Sequence, residues 1–350
     1  MLQTDLSKRL GIRYPIMQSG MGGIGDFTLA PLAAAITNAG GLGTLAHPAL
    51  FLEDPDLAED DRIEGAAQEV VDQVVKGFEE AMALTDGPLA VNVRAAQEQP
   101  DSEPLLKALI ELKHDHPKMR DQFVALATSG GHPHCFGLND QIREAGIFHA
   151  HAVSTARQAR SAERAGIDAV VATGFEAAGH IGHKQVHSMI LIPACVDAVD
   201  IPVIAAGGIA DGRSLVAALG LGAQLGYIGT RFLATTECEY SEANKQHVVD
   251  MPDTGSRVVT GFFGPCRHLE NPFLDVVEDV NNSDVSERER LRVEGEGLRR
   301  GPIHGDRENG FMIGGMSAGR INEILPAAEV VRRIVAEAEE TIGKLATLTG

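Results

Sequence analysis

Short apolar runs recur along the chain, and each is followed by a stretch whose apolar positions fall three and four residues apart. A run of strand length followed by a segment of helical period marks a βα unit, and repeating the unit builds a parallel sheet. Eight strands are predicted, at Pro15–Gln18, Gly43–Ala46, Leu89–Val93, Phe123–Ala127, Ile147–Val153, Ala169–Thr173, Val203–Ala206 and Gly226–Gly229. Runs such as VIAA at Val203–Ala206 are apolar at every position, as a strand covered on both faces must be. Helices are predicted at Thr28–Asn38, Glu64–Ala83, Pro104–Lys113, Asn139–Glu144, Thr155–Ala165, Ser188–Val199, Asp211–Leu219 and Ala327–Leu345. Ser154 and Asp211 read as N-caps, and Gly40, Gly146, Gly166 and Gly220 as C-terminal stops. Eight such units predict an α/β fold, a (β/α)8 TIM barrel.

The eighth helix lies far downstream of the eighth strand. Between them, the stretch from about Ser241 to Gly310 is rich in charge, Asn, Gly and Pro and shows little periodicity. The expected organisation is therefore a barrel of residues 1–240 and 311–350 with an insertion at 241–310. A connection this long in a compact domain is usually functional or separately structured, so a lid or small subdomain over the barrel mouth is expected. A surface excursion unrelated to catalysis is the alternative.

Composition narrows the partners rather than the fold. The 350 residues, 44% of them hydrophobic, suffice for one large core. Thirty basic residues against 49 acidic ones leave a formal charge of −19, which argues against a surface that tracks nucleic-acid phosphates or binds anionic membranes. A bound phosphate would then be held mostly by backbone N–H groups. Cys135, Cys195, Cys238 and Cys266 are too dispersed for a CxxC pair and too few to staple a chain of this length, which fits a reducing cytoplasm. The first residues lack the apolar core of a signal peptide, and no segment approaches 18 uncharged apolar residues, so neither export nor a membrane span is expected. The oligomeric state is left open, a homodimer included.

In a barrel the chemistry sits at the carboxyl ends of the strands. After the seventh strand comes AAGGIADGRS (Ala205–Ser214), and after the eighth YIGTRF (Tyr227–Phe232). Gly207 and Gly208 in the first and Gly229 and Thr230 in the second offer N–H groups and a hydroxyl to a phosphate, in the position where barrels commonly build such a cradle. The sixth strand ends in TGFEAAGHIGHKQVH (Thr173–His187), whose small residues leave His180 standing in an open mouth. An imidazole there can exchange a proton near neutral pH or stabilise an anion, which makes His180 the catalytic candidate. The pairs His132 and His134, His149 and His151, and the trio His180, His183 and His187 raise a metal-dependent barrel hydrolase as a rival. That rival would need carboxylates at strand ends, and the eighth strand ends in Gly229, Thr230 and Arg231, so no metal is expected. Asn92 in AVNVRAA is placed to hydrogen-bond a polar ring, while Arg94 and Arg231 read as ion-pair partners rather than substrate clamps.

Six long motifs in order then carry a resemblance: LGIRYPIMQSGMGGI, AAAITNAGGLGTL, AVNVRAA, AERAGIDAVVATGFEAAGHIGH, IPVIAAGGIADGRSLVAALGLGAQLGYIGTRF and GDRENGFMIGGMSAGRINEILPAAEVV. The chain resembles the nitronate monooxygenases, also called 2-nitropropane dioxygenases, and the related FMN-dependent enoyl-ACP reductases. The resemblance implies an FMN-dependent oxidoreductase in which His180 is the catalytic histidine. It places FMN contacts on Gly20, Met21, Asn92, Gly207, Gly208, Gly229 and Thr230, and the segment before His180 adds Thr173, Ala178 and Gly179. Three positions depart from the nitronate monooxygenase pattern: Thr173 stands for a Gln, Ala178 for the first glycine of an EAGGH motif, and Tyr227 for the Gln of a VQMGT segment.

Two reactions follow from the resemblance. The first expectation is oxidation of an alkyl nitronate with dioxygen, through the flavin, to a carbonyl compound and nitrite, with His180 deprotonating a neutral nitroalkane or holding the anion. The alternative is reduction of an enoyl thioester of ACP or CoA, with NADH or NADPH as reductant and His180 assisting at the carbonyl; the GDRENGFMIGG segment is closer to the reductases. An enzyme of a degradative pathway acting on a CoA thioester, and a barrel that binds flavin without turnover, are further alternatives.

Overall fold

The computed structural model describes residues 2–22, 27–48, 63–96, 99, 101–261 and 263–348, without the side chains of 63–67. Gly23 and Ile24, at the end of the first motif, lie outside the described residues. In chain order the strands are β1 (Ile16–Gln18), β2 (Gly43–Ala46), β3 (Leu89–Arg94), β4 (Phe123–Ser129), β5 (Phe148–Val153), β6 (Ala169–Thr173), the two-residue β7 (Gly179–His180), β8 (Val203–Ala206) and β9 (Leu225–Ile228). A hairpin of β10 (Ser256–Gly261) and β11 (Gly264–Leu269) follows.

Eight of these form one parallel sheet in the order β1-β9-β8-β6-β5-β4-β3-β2. The sheet closes on itself through a bridge between Met17 and Leu42, where the Gln18 N–H donates to the Leu42 carbonyl at 2.8 Å and the Leu42 N–H donates to that of Ile16 at 2.9 Å. This is the predicted (β/α)8 barrel, with every predicted strand in place to within two residues.

Period-two alternation decides what reaches the barrel mouth. Along β3, Leu89, Val91 and Val93 pack outward against helices, whereas Ala90 packs in the barrel interior. Asn92 shares the parity of Ala90 and so stands at the mouth. The same count puts Thr173 above Ala169 and Val171, and Tyr227 above Leu225. The interior itself is built of small residues, Ala90, Ala125, Ala127, Ala150 and Ala169, and Leu6, Leu10 and Ile12 join it from the N-terminal segment.

The helices on the outside follow the predicted spans closely, for example Ala30–Asn38, Ala156–Arg164 and Ala327–Ala346. Two caps differ. Thr155, not Ser154, caps Ala156–Arg164, its hydroxyl accepting from the Gln158 N–H. Gly220 remains within its helix, and Gly222 is the residue that takes a positive φ.

The stretch expected to lack periodicity is well structured. It holds helices Glu242–Asp250, Phe273–Asn282 and Glu287–Leu298 besides the hairpin. Phe273, Leu274 and Val277 form the apolar stripe of the second of these and share a small core with Val259 and Phe311. Strand β11 also pairs antiparallel with β7, Cys266 opposite His180 and Arg267 opposite Gly179, so a three-stranded sheet stands over one side of the mouth. Among the described residues no helix is long and apolar enough to cross a membrane.

Candidate active site

A cavity of about 1750 Å³ opens at the carboxyl ends of the barrel strands. Every residue expected to serve catalysis or flavin contact borders it: His180, Gly20, Met21, Asn92, Thr173, Ala178, Gly179, Gly207, Gly208, Gly229 and Thr230.

Gly207 and Gly208 turn the chain after β8 with φ of +93° and +78°. A Cβ on Gly207 would lie 3.1 Å from both the Ala177 nitrogen and the Gly174 carbonyl oxygen, so the turn needs glycine on grounds of space as well as conformation. The N–H groups of Gly207, Gly208, Gly229 and Thr230 donate to no acceptor among the described residues and border the cavity. The helix that follows β8 contributes nothing to this cradle, because Asp211 caps its first turn by accepting from the Ser214 N–H and hydroxyl. An anion here is therefore met by the two turns and by the start of the short helix Thr230–Leu233. Thr230 is itself fixed, its hydroxyl accepting from the Gly315 N–H at 3.0 Å.

On the far side, Gly20 is pressed against Asn92: a Cβ on it would come within 2.3 Å of the Asn92 side chain. The Gly20 N–H donates to the Tyr227 hydroxyl at 2.8 Å, and the Asn92 amide donates to the Ala127 carbonyl at 2.9 Å. Burial pushes the Tyr227 phenol up to about 12, against hydrogen bonds with Gly20, Ser19 and Asn92, so it stays protonated. Sequence reasoning marked Tyr227 only as a departure; its place as the last inward residue of β9 was the usable signal.

His180 lies between these regions. Its backbone is held in β7 by β11, its imidazole faces the open cavity, and the Phe263 ring lies edge-on at 6.2 Å. The ring is accessible to water in the cavity yet sits deep among protein atoms. Desolvation first, and the charge of Arg94 second, pull its pKa down to about 4, so it is neutral at pH 7. The neighbouring His268 on β11 is pulled to about 3 by burial and then by His180; it stacks on Phe311 with ring centres 4.2 Å apart, and its Nδ1 has no partner among the described residues.

Among the described residues no carboxylate forms the close ion pair expected of Arg94. Its Nη2 donates to the Pro48 carbonyl at 3.1 Å, its Nε is buried without a partner among the described residues, and its backbone N–H donates to His47 Nδ1. His47 Nε2 lies 3.1 Å from Asp101, both side chains being buried. Arg231 is likewise no close ion-pair partner: it donates to the carbonyls of Ala234 and Glu323. His47, Asp101 and His268 were missed, and nothing local in the sequence marks them, since each is set by contacts across the fold.

Of the other histidines, His132, His151 and His183 also border the cavity. The Thr128 hydroxyl bridges His149 Nε2 at 2.8 Å and His151 Nδ1 at 2.9 Å, His132 stacks on His134, and His187 meets Glu176 at 3.1 Å. Among the described residues no three His, Cys, Asp or Glu side chains are grouped so as to hold a metal ion.

A family model described as nitronate monooxygenase matches residues 3–337. The chain belongs to the nitronate monooxygenase family. As a member it is an oxidoreductase, and the family's enzymes use a flavin cofactor. A probable nitronate monooxygenase of Staphylococcus aureus is 28% identical, over 94% of this chain and 96% of its own. A (3aS,4S,5R,7aS)-5-hydroxy-7a-methyl-1-oxo-octahydro-1H-indene-4-carboxyl-CoA dehydrogenase of Mycobacterium tuberculosis is 32% identical, over 79% of this chain and 69% of its own. Among solved structures, FabK from Thermotoga maritima superposes with a TM-score of 0.82 at 31% identity, covering 99% of this chain and 100% of that one. A nitroalkane oxidase from Streptomyces ansochromogenes shares the fold, with a TM-score of 0.77 at 24% identity.

Proposed function

We propose that this member of the nitronate monooxygenase family is an FMN-dependent oxidoreductase that acts on an acyl thioester, with NADH or NADPH as electron donor. The size of the cavity carries this reading. At about 1750 Å³ it exceeds the roughly 300–1,000 Å³ of a pocket that encloses one drug-sized molecule. A flavin with a small nitronate leaves much of that space to water, whereas a thioester arm beside the flavin has room to lie within it. This reverses the order of the two reactions expected from the sequence. The mycobacterial relative, named for a carboxyl-CoA compound, supports the same reading.

The residues present fit FMN. The free N–H groups at Gly207, Gly208, Gly229 and Thr230 would hold its phosphate, and Gly20, Met21, Asn92, Thr173, Ala178 and Gly179 would border its ring. When bound, FMN supplies a ring able to carry two electrons between donor and substrate. His180, being neutral, donates a hydrogen bond to a thioester carbonyl oxygen without first losing a proton. Arg94 behind it favours the negative charge that builds on that oxygen.

Oxidation of alkyl nitronates with dioxygen is the second reading, favoured by the buried cation Arg94 beside His180, which attracts a compact anion. In that case a preformed nitronate is the substrate rather than a neutral nitroalkane, because an imidazole whose pKa lies near 4 is a weak base.

Anaerobic spectroscopy of the FMN-loaded protein separates the two. NADH or NADPH is expected to bleach the flavin, and an enoyl thioester to restore its yellow absorbance. Bleaching by an alkyl nitronate, with no response to either nicotinamide, would replace the thioester reading by the nitronate one.

A further inference from the structure

From the charges that border the outer part of the cavity, we infer that Arg157, Arg164 and Lys184 form a binding subsite for the phosphates of an adenosine diphosphate arm, the part shared by coenzyme A and the nicotinamide coenzymes. The inference deepens the thioester reading and rests on it only for the choice between those two sources.

The charge balance of the cavity is inverted relative to the chain. Acidic residues outnumber basic ones by 49 to 30 overall. Yet the described residues that border the cavity include Arg94, Arg157, Arg164, Lys184 and Arg290 against only Glu176, Glu278 and Glu287. Of these carboxylates Glu176 is already committed to Ser188 and His187.

The three residues of the subsite are also uncommitted. Among the described residues ten arginines of this acidic chain sit on carboxylates, Arg213, Arg292, Arg332 and Arg333 among them. Arg157, Arg164 and Lys184 are exposed and have no hydrogen bond or ion pair with any described residue. Leaving three cations unpaired along one cavity, where carboxylates are plentiful elsewhere, maintains a positive local field that draws in an anion.

Their placement suits an extended anionic arm. Arg157, Ser161 and Arg164 are spaced i, i+4, i+7 on the helix Ala156–Arg164, so they share one face, and all three border the cavity. At 1.5 Å per residue the two guanidinium-bearing positions are about 10 Å apart along the axis, enough for more than one phosphate group. Lys184 approaches from the loop just after His180, which ties this outer row to the place where the reaction would occur. The row follows β5, whereas the glycine turns follow β8 and β9, and β6 lies between them in the sheet. The flavin phosphate and the second anion therefore have separate seats.

The test uses the FMN-loaded enzyme, its Arg157→Glu/Arg164→Glu double variant and, as control, Arg160→Glu, which lies on the same helix but does not border the cavity. With an acyl-CoA as substrate, the double variant is expected to raise KM about tenfold or more at unchanged kcat, while an acyl-pantetheine lacking the nucleotide changes by less than about twofold. If the loss falls instead on NADPH, and not on reduced nicotinamide mononucleotide, the arm is that of the nicotinamide coenzyme. If no thioester is turned over, the thioester reading fails, and calorimetry with 3′-phosphoadenosine 5′-diphosphate still decides the subsite. Binding by the wild type that is lost in the double variant and weakened in about 0.5 M salt supports it. No binding by the wild type, or equal loss in Arg160→Glu, overturns it.

Discussion

Where the ends of β8 and β9 border the cavity they present backbone, at Gly207, Gly208, Gly229 and Thr230, whereas the β10–β11 hairpin opposite presents side chains, among them Thr260, Phe263, Cys266 and His268. The first wall is fixed from beneath by a closed barrel, and its conformation admits no side chain at Gly207. The second rests on a small satellite core around Phe273 and Phe311 and is joined to the barrel mouth through the short pairing of β7 with β11. A wall of N–H groups can recognise a phosphate common to a whole family, because its chemistry does not depend on side-chain identity. A wall of side chains can change with every substitution and so is where a substrate is chosen. His180 stands where the walls meet, with its backbone in the sheet of one and its ring facing the other.

The largest expected effect comes from removing that junction. His180→Ala should lower kcat by about 10²–10⁴-fold while FMN still binds within about twofold of the wild-type affinity. An unchanged rate would remove His180 from the chemistry, and loss of FMN would show that it belongs to the cofactor wall.

A second comparison sets His180 against His149 and His151, which are 3% exposed, bound to Thr128 and given no part in turnover. Their pKa values are pulled to about 3 and about 4, by burial first and then by the neighbouring imidazoles His151 and His132 respectively. An unfolded histidine takes up its proton near 6.5, so below that pH the unfolded chain binds protons that the fold refuses. Their burial as neutral rings therefore costs nothing above about pH 6.5, and stability falls as the pH drops from there toward about 4. The expected loss by pH 4.5 is on the order of 2–3 kcal/mol for each ring, read as a falling urea midpoint. A flat profile from pH 7 to 4.5 would mean that these rings are protonated within the fold.

The smallest expected effect lies in the side-chain wall. Phe263→Ala should raise KM for an acyl thioester by about three- to tenfold and leave FMN affinity unchanged, since that ring borders the cavity and lies edge-on to His180. A matching loss of FMN affinity would erase the distinction between the walls.

The same division explains what could be read from the sequence. The barrel was legible because each βα unit carries its own period, and the cradle because paired glycines at two successive strand ends have few other uses. The hairpin wall was not, because β7 is two residues long and is defined only by its distant partner β11. The helix Phe273–Asn282 did carry a signal, Phe273, Leu274 and Val277 at helical spacing, within a stretch whose charges and turn-forming residues obscured it. Buried Arg94, His47 and Asp101 come from different elements, and no short-range pattern announces that they meet.

If free backbone N–H groups at the ends of β8 and β9 hold a flavin phosphate, FMN and riboflavin will bind very differently. Two or more charge-assisted hydrogen bonds to the phosphate should make FMN bind at least about 100-fold more tightly than riboflavin, and Gly207→Val should abolish that difference without unfolding the barrel. Equal affinity of the wild-type protein for the two flavins would mean that these turns hold no phosphate.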